Sequence, residues 1–407
     1  MEKKRILIYT NHFYPENFKV NDIAFDFANK GYEVKVITGL PNYPHGKLFE
    51  GYGIFKKNKE FVNNVEVIRL PLITRGSGKA LRLALNYLSY FISTIIYTLR
   101  LSFSPKYDLV FVHETSPIFI CLSAVLYKKI KKVPLVVWVL DLWPESVFSA
   151  GNFENKTLAK VLTFLVKIIY KQSDVILTSS KGFEASILKK GNFHNKIIYF
   201  PNWAEDVFLD YNTENIHDIK LPEGFKIMYT GNLGEAQNFE IILDAAIKLK
   251  DKKNIKWILV GSGRKLDFIE TTIKNYQLEE SVYVLGSYPV TSMPFFFNES
   301  DVMLVSLKDE AIFNITVPAK LQAYMAFGKP IIGLLKGEGA AIIEEANCGY
   351  VCSQSNSNEL VDSITKLEKL EGTELEKFSK NAKDYYLQNF SKTKNLNFLE
   401  TLFLKLV

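Results

Sequence analysis

The sequence predicts an α/β fold of two doubly wound, mostly parallel-sheet domains facing each other across a cleft. Three observations carry that expectation. Short β-rich runs alternate with helical patterns along most of the chain. The alternation breaks over Asp206–Glu223 and then begins again. At 407 residues, with 47% apolar and 23% charged residues, the chain suits two or three globular domains rather than a disordered segment.

The first domain is expected over residues 1–205. Arg5–Thr10, Glu33–Thr38, Val65–Leu70, Leu109–His113, Pro134–Trp138, Val175–Thr178 and Ile197–Phe200 read as strands. Val20–Lys30, Pro117–Ile130, Leu158–Lys171 and Lys181–Lys189 read as helices between them. Residues 206–223 hold few large apolar side chains and include Asn, Asp and Pro, which predicts a linker. The second domain, 224–380, is predicted to place strands at Phe225–Thr230, Lys256–Val260, Val282–Leu285, Val302–Val305, Ile331–Leu335 and Gly349–Val351. Its helices should cover Phe239–Lys250, Lys265–Tyr276, Lys320–Phe327, Glu338–Ala346 and Ser357–Leu367. The tail from Thr373 reads as one or two helices. Its part 381–407 should pack back toward the first domain through Tyr385, Tyr386, Leu387, Phe398 and Leu399.

Glycine punctuates the strand ends of the second half: Thr230-Gly231-Asn232-Leu233-Gly234, Val260-Gly261-Ser262-Gly263-Arg264 and Leu285-Gly286-Ser287-Tyr288-Pro289. A fourth segment, Val317-Pro318-Ala319-Lys320, opens a helix. Glycine allows close backbone approach, and helix N-termini at the carboxyl edge of a parallel sheet offer free N–H groups to an anion. Such a row, with a cation in two of its segments, suits a nucleotide diphosphate.

The net charge of +6 is unevenly divided. Residues 1–203 hold 28 Lys and Arg against 15 Asp and Glu; the remainder holds 22 against 29. The basic half should favour an anionic surface or ligand. Lipid is preferred over nucleic acid because Leu83–Leu99 contains no charged residue. Those 17 residues reach only the lower limit for a membrane span, roughly 17–25 residues. Arg82, Asn86, Ser89, Ser93 and Arg100 fall on one helical face, with Leu85, Leu88, Ile92, Ile95, Ile96 and Leu99 on the other. Three readings stay open: a helix buried against the sheet, a helix lying in the inner leaflet, and a span. The basic runs Lys56-Lys57-Asn58-Lys59 and Lys128 to Lys132 favour a peripheral membrane role.

Cys121, Cys348 and Cys352 suggest a reducing compartment, and Cys348 and Cys352 lack the company expected of zinc ligands. The run Ile6–Tyr9 is too short for a signal-peptide core.

The whole chain resembles the family 4 glycosyltransferases of the GT-B fold, in particular the L-fucosamine transferase-like branch of bacterial surface-polysaccharide enzymes. The resemblance rests on Tyr14-Pro15-Glu16, Gly31-Tyr32-Glu33-Val34, Gly39 to Pro44, Asp141-Leu142-Trp143-Pro144-Glu145-Ser146, Pro201-Asn202-Trp203, Tyr229 to Gly234, and Val317 through Pro330. It implies a retaining transferase with a nucleotide-sugar donor, a uridine diphosphate sugar, and a polyprenyl-diphosphate-linked acceptor at the cytoplasmic face of the membrane. Many members carry a spaced pair of glutamates where this chain has Ile315 and Ala323. Many carry basic residues at the first glycine turn, here Asn232 and Gln237 or Asn238, and a His where Leu140 stands.

Transfer from a diphosphate donor needs positive charge at the departing phosphate. Arg264 and Lys320 are the cations available, and they are assigned catalytic roles with Asp141. Asp141 ends an apolar run, where a carboxylate could bind the acceptor or act as base; it could equally cap a short helix at Leu142–Phe148. Gly231, Asn232, Gly234, Gly261, Gly263, Gly286 and Pro318 are expected at the donor, with Tyr288 and Pro289 walling its base. Asn17, Lys19, His113, Glu114 and Glu145 are expected at the acceptor. The chain has no Asp-x-Asp motif, so no metal-bridged diphosphate and no cofactor is suggested. Two rival readings share the fold: a nucleotide-sugar 2-epimerase, which has no use for Leu83–Leu99, and a non-catalytic nucleotide-sugar-binding partner, which Ile315 and Ala323 would permit.

Overall fold

A computed structural model describes residues 4–76, 78–151, 155–210 and 219–407. The chain divides into two compact units. Unit 1 runs to Pro201 and includes Thr393–Val407; unit 2 is Asn202–Lys392.

Unit 1 follows the order β1 (Arg5–Thr10), α1 (Lys19–Asn29), β2 (Glu33–Gly39), β3 (Lys59–Val62), β4 (Val65–Leu70), α2 (Ala80–Leu101) and β5 (Leu109–Glu114). Then come α3 (Ile120–Lys131), β6 (Leu135–Val139), α4 (Glu145–Gly151), α5 (Lys156–Gln172), β7 (Val175–Thr178), α6 (Phe183–Leu188) and β8 (Ile197–Tyr199). The eight strands lie in the order β3-β4-β2-β1-β5-β6-β7-β8. All pairs are parallel except β3 with β4. Central strands are buried on both faces, so β5 (LVFVHE) and β6 (LVVWV) are apolar without alternation. The edge strand β3 (KEFV) was not expected from the sequence; it is short and half exposed, so it lacks the apolar run that marks its neighbours.

Unit 2 holds β9 (Phe225–Thr230), α7 (Phe239–Lys248), β10 (Ile255–Val260), α8 (Leu266–Tyr276), β11 (Val282–Gly286), α9 (Met293–Asn298) and β12 (Val302–Ser306). It continues with α10 (Ala311–Asn314), α11 (Ala319–Phe327), β13 (Ile331–Leu334), α12 (Glu338–Ala346), β14 (Gly349–Cys352), α13 (Ser357–Glu368) and α14 (Gly372–Asn389). Its six strands are parallel, in the order β11-β10-β9-β12-β13-β14. Apolar clusters cover both faces; Cys348 sits in one and Cys352 in the other, which is why this pair is packing rather than chemistry.

Two expectations are corrected. Residues 206–223 are not a free linker where they are described: Phe208 is buried, its ring stacked on Phe297 at 5.0 Å, and Ile219 and Leu221 pack on the core of unit 2. Residues 211–218 of that stretch lie outside the described residues. The tail does not switch units at residue 381 but after Lys392. Tyr386 is buried in unit 2, whereas α15 (Lys392–Leu406) stacks Phe403 on Phe27 and Phe398 on Phe200 in unit 1.

Helix α2 reverses the usual amphipathic arrangement. Its buried residues are Asn86, Tyr90, Thr94, Thr98 and Leu101. Tyr90 donates to the Thr10 carbonyl at 2.7 Å, the Thr98 and Tyr9 hydroxyls meet at 2.9 Å, and Ser123 of α3 bonds Thr94 at 3.0 Å. Every one of these buried hydroxyls has a partner, so the polar stripe can face the sheet without a desolvation penalty. The apolar row is left outside: Leu81 is 75%, Leu88 54% and Ile92 49% exposed. A soluble helix normally turns its apolar side inward. Among the described residues no helix is long and apolar enough to cross a membrane.

Candidate functional site

In a doubly wound sheet the strand order reverses once on each side of a switch point, and ligands bind beyond the carboxyl ends of the strands there. In unit 2 this point lies between β9 and β12; in unit 1 it lies between β1 and β5.

The unit 2 edge is built from backbone. After β9 the chain turns at Gly231 (φ +115°), and Gly231 N–H donates to the Val260 carbonyl at 2.8 Å. Leu233 N–H bonds Ser262 O at 2.9 Å, Lys265 N–H bonds Leu233 O at 2.9 Å, and Gly261 N–H bonds Gly286 O at 2.7 Å. The three glycine turns therefore form one hydrogen-bonded cluster. A Cβ at Gly261 would stand 1.8 Å from the Gly231 carbonyl oxygen, and one at Gly263 2.3 Å from that of Leu233. Only glycine permits these approaches. Helices α8 and α11 start at this edge.

Lys320, second residue of α11, completes the cluster. Its Nζ donates to the Tyr229 hydroxyl and lies 3.7 Å from that ring's centroid. Tyr229 in turn donates to the Asn232 carbonyl at 2.7 Å. The Nζ stands 3.8 Å from where a Gly231 Cβ would be. Burial lowers the Lys320 pKa to about 7, and no carboxylate offsets it. A partly buried ammonium with no counter-ion among the described residues, beside unsubstituted backbone, is arranged for an anion. Arg264 is exposed on the second turn and makes no ion pair or side-chain hydrogen bond among the described residues. Asn232 is exposed, and Gly234 N–H is held by the Gln237 side chain at 3.0 Å. Tyr288 lies 4.9 Å from Phe296, ring to ring and tilted, and is partly core, while Pro289 is exposed next to it. Pro318 precedes α11 with extended backbone. Ala323, at a position where the sequence departs from the family pattern, is packed into the apolar cluster of α11.

The unit 1 edge is built from side chains. Asp141 follows β6 and accepts from the Ser116 amide at 2.7 Å, joining the β5 and β6 loops. Its carboxylate is thus tied to a neighbouring loop. Glu114 ends β5, wholly buried; burial and the charge of Asp141 hold its carboxyl well above the ordinary range. His113 is also buried. Burial, with His12 nearby, lowers it to about 3, and its Nδ1 lies 3.2 Å from Thr10 Oγ1. His113 is therefore a neutral core residue, not a surface contact. Glu145 is held by α6 and the residues after it: Ser186 and the buried Lys190 both donate to its Oε1, at 2.6 and 2.7 Å. Asn17 is exposed and Lys19 begins α1.

Sequence reasoning missed the residues nearest the switch point. His12 and Glu16 pair at 3.0 Å, with the His12 ring stacked 4.7 Å from Phe18. Glu16 Oε1 also accepts from Asn42 N–H and Tyr43 N–H, at 2.9 and 2.7 Å, so it holds the β1 and β2 loops together. A small pocket is lined by Asn11, His12, Asn42, Arg75, Asn86, Tyr87, Ser116 and Pro117. Glu16 and Asn42 lie within the segments that carry the family resemblance; that was the available signal. Among the described residues no group of three or more His, Cys, Asp or Glu is placed to hold a metal.

Comparison with known proteins identifies the family of both units. Residues 212–385 match the family model "Glycosyl transferases group 1", and residues 19–203 match "Glycosyl transferase 4-like domain". The chain is 26% identical over 300 residues to the glycosyltransferase WbjE of Pseudomonas aeruginosa, covering 70% of this chain and 74% of that one. It is 25% identical over 338 residues to WcaI of Escherichia coli K12, designated a colanic acid biosynthesis glycosyl transferase, covering 80% and 81%. The crystal structure of Anabaena Alr3699/HepE in complex with UDP superposes with a TM-score of 0.67 at 15% identity, covering 98% of this chain and 99% of that one. With each unit matched by its own glycosyltransferase model, and with two parallel sheets of the same architecture, the chain belongs to the group 1, family 4 glycosyltransferases of the GT-B fold.

Proposed function

We propose that the chain is a retaining transferase that moves a sugar from a UDP-sugar to a polyprenyl-diphosphate-linked saccharide in bacterial surface polysaccharide synthesis, as an O-antigen or capsule enzyme. The branch resemblance makes N-acetyl-L-fucosamine the candidate sugar. The observation that carries the donor half is the hydrogen-bonded cluster of Gly231, Gly261 and Gly263 with Lys320 at its edge. The UDP bound by HepE supports uridine diphosphate as the carrier, and the designation of WcaI supports a polysaccharide pathway.

In this reading the bond from the anomeric carbon to the β-phosphate oxygen breaks as the acceptor oxygen bonds to the same carbon from the same face. The acceptor proton passes to the departing phosphate oxygen. Negative charge grows on that phosphate, and Lys320, Arg264 and the amides at the starts of α8 and α11 offset it. Each charge-assisted hydrogen bond contributes about 1.5–3 kcal/mol. Asp141 orients the acceptor hydroxyl.

A membrane-bound acceptor is supported by one face of unit 1. Helices α2, α3 and α5 adjoin there. They contain no Asp or Glu, and they carry 2, 3 and 4 Lys or Arg respectively. The exposed row of α2 and the exposed Val161 and Phe164 of α5 add apolar surface. Cations without carboxylates around exposed apolar rows suit an anionic bilayer, so the Arg82–Leu99 region is assigned to the inner membrane surface.

The test is incubation of purified protein with UDP-sugars and a membrane lipid extract. Radiolabelled sugar on lipid is the expected result. An altered free sugar nucleotide would indicate the 2-epimerase; nucleotide binding with neither product would indicate a non-catalytic partner.

A further inference from the structure

We infer that Arg75, at the small polar pocket between the β1, β2 and β5 loops, is the anion receptor of unit 1, binding a phosphate of the lipid-linked acceptor from outside the pocket while the polyprenyl chain leaves along the exposed row of α2. The inference rests on the reading of a lipid-diphosphate acceptor given above.

Arg75 differs from Arg5 and Arg69 of the same unit in having no carboxylate partner among the described residues. Arg5 is paired with Glu33 at 2.9 Å and Arg69 with Glu60 at 2.6 Å. Arg75 makes no ion pair and no side-chain hydrogen bond among the described residues; its Nε is hidden from water without a partner, as are those of Arg5 and Arg69, but those two guanidiniums already hold a carboxylate. A buried guanidinium N–H left unbonded is uncommon, because its desolvation is uncompensated. An anion would compensate it, and the planar fork of Arg suits phosphate.

The surroundings hold the guanidinium in place rather than neutralise it. It lies 5.1 Å from the Tyr43 ring centroid. Its backbone N–H is accepted by Asn42 Oδ1 at 3.3 Å. The preceding loop is sewn to the polar stripe of α2: Arg82 donates to Thr74 O at 2.8 Å, Asn86 to Ile73 O at 2.6 Å and Ser93 to Pro71 O at 2.8 Å, while Ser89 accepts from Ile73 N at 2.9 Å. These four side chains, beside the buried hydroxyls that bond the sheet and α3, tie the Arg75 loop to the polar side of α2. The same helix then leaves Leu81, Leu85 and Leu88 exposed. The loop that carries the cation is thus tied to the helix that carries the apolar row, as a phosphate and its lipid chain would require.

Asp141 closes the argument. Ser116 lines the Arg75 pocket, and its amide is the donor to Asp141. Both Arg75 and Asp141 act electrostatically on Tyr87. An acceptor sugar attached directly to a diphosphate needs a hydroxyl contact and an anion contact close together, and this edge supplies both.

The test compares farnesyl diphosphate with farnesol, bound to the full chain in saturating UDP so that the donor site is filled. Wild type should bind the diphosphate at least about tenfold more tightly, the ratio that one charge-assisted contact confers. Arg75→Ala should abolish that preference while leaving farnesol binding, UDP affinity and melting temperature unchanged; Arg75→Lys should keep part of it. Equal binding of the two ligands by wild type, or an undiminished preference in Arg75→Ala, would overturn the inference. The glycosyl transfer reading would survive either result if labelled sugar still reached a phosphate-free acceptor.

Discussion

At the β9/β12 switch point the chain presents backbone; at the β1/β5 switch point it presents side chains. The turns that hold Gly231, Gly261 and Gly263 are bonded to one another through main-chain groups, with Lys320 beside them. The other edge is assembled from His12, Glu16, Asn42, Arg75 and Asp141, contributed by loops after β1, β2, β4 and β6. The difference follows the ligands proposed. A diphosphate carries the same oxygens whatever sugar it bears, and backbone N–H groups hold it without choosing among sugars. An acceptor must be distinguished from other saccharides, and only side chains supply that variety.

The contrast can be broken most severely at Gly261. An alanine Cβ there meets the Gly231 carbonyl oxygen at 1.8 Å, so the two turns must separate. Gly261→Ala should lower kcat/KM by on the order of 10²-fold or more, since displacements near 1 Å have that effect. Steady-state kinetics beside a thermal melt would check it; near-normal turnover would mean the turns do not hold the donor.

Removing one cation should be less damaging. Lys320→Ala is expected to lower kcat/KM by about 10–100-fold, the equivalent of one charge-assisted contact. The pH dependence sharpens this. Lys320 titrates near 7 in the free protein because burial disfavours its charge. Below that pH it carries the proton that a diphosphate needs; above it, binding must take up a proton. UDP affinity should therefore fall as pH rises above 7, approaching about tenfold per pH unit. Lys320→Arg should flatten the profile, because guanidinium stays charged. A wild-type affinity constant over that range, measured calorimetrically, would remove Lys320 from the donor site.

On the side-chain edge, Asp141→Asn should reduce transfer by about tenfold or more while UDP binding stays unchanged. Loss of both together would show that the two edges are not chemically separate. The smallest effect on stability is expected on the outer face of α2. Leu88→Gln with Ile92→Gln alters exposed residues only, so the melt should shift by no more than about 0.5 kcal/mol per site, while co-sedimentation with anionic vesicles should drop. A large loss of stability would mean that face is covered within the protein.

The glycine turns of unit 2, proposed above as the donor edge, were legible in the sequence for a physical reason. Close backbone approach requires glycine, glycine is a visible letter, and each turn follows a strand that buried apolar runs already mark. Lys320 was found because it opens a helix after Pro318. The acceptor edge was only half legible. Glu114 ends a strand and Asp141 closely follows one, so both stood out in the sequence, but Glu114 and His113 are buried, and position at a strand end alone does not report exposure. His12 and Arg75 were missed because nothing local marks them; the residues that orient them come from segments far away in the chain.

Helix α2 marks the boundary between the two kinds of information. The sequence by itself determined that residues 80–101 would be a helix with a polar and an apolar side, because periodicity is local. Tertiary structure decided which side turned inward. Tyr9, Thr10 and Ser123 await the Tyr90, Thr94 and Thr98 hydroxyls, and a hydroxyl that finds its partner loses the penalty that would otherwise keep it in water. Strand identity, helix identity and the glycine turns were thus written in neighbouring letters. The meeting of distant polar groups was decided only when the chain closed on itself.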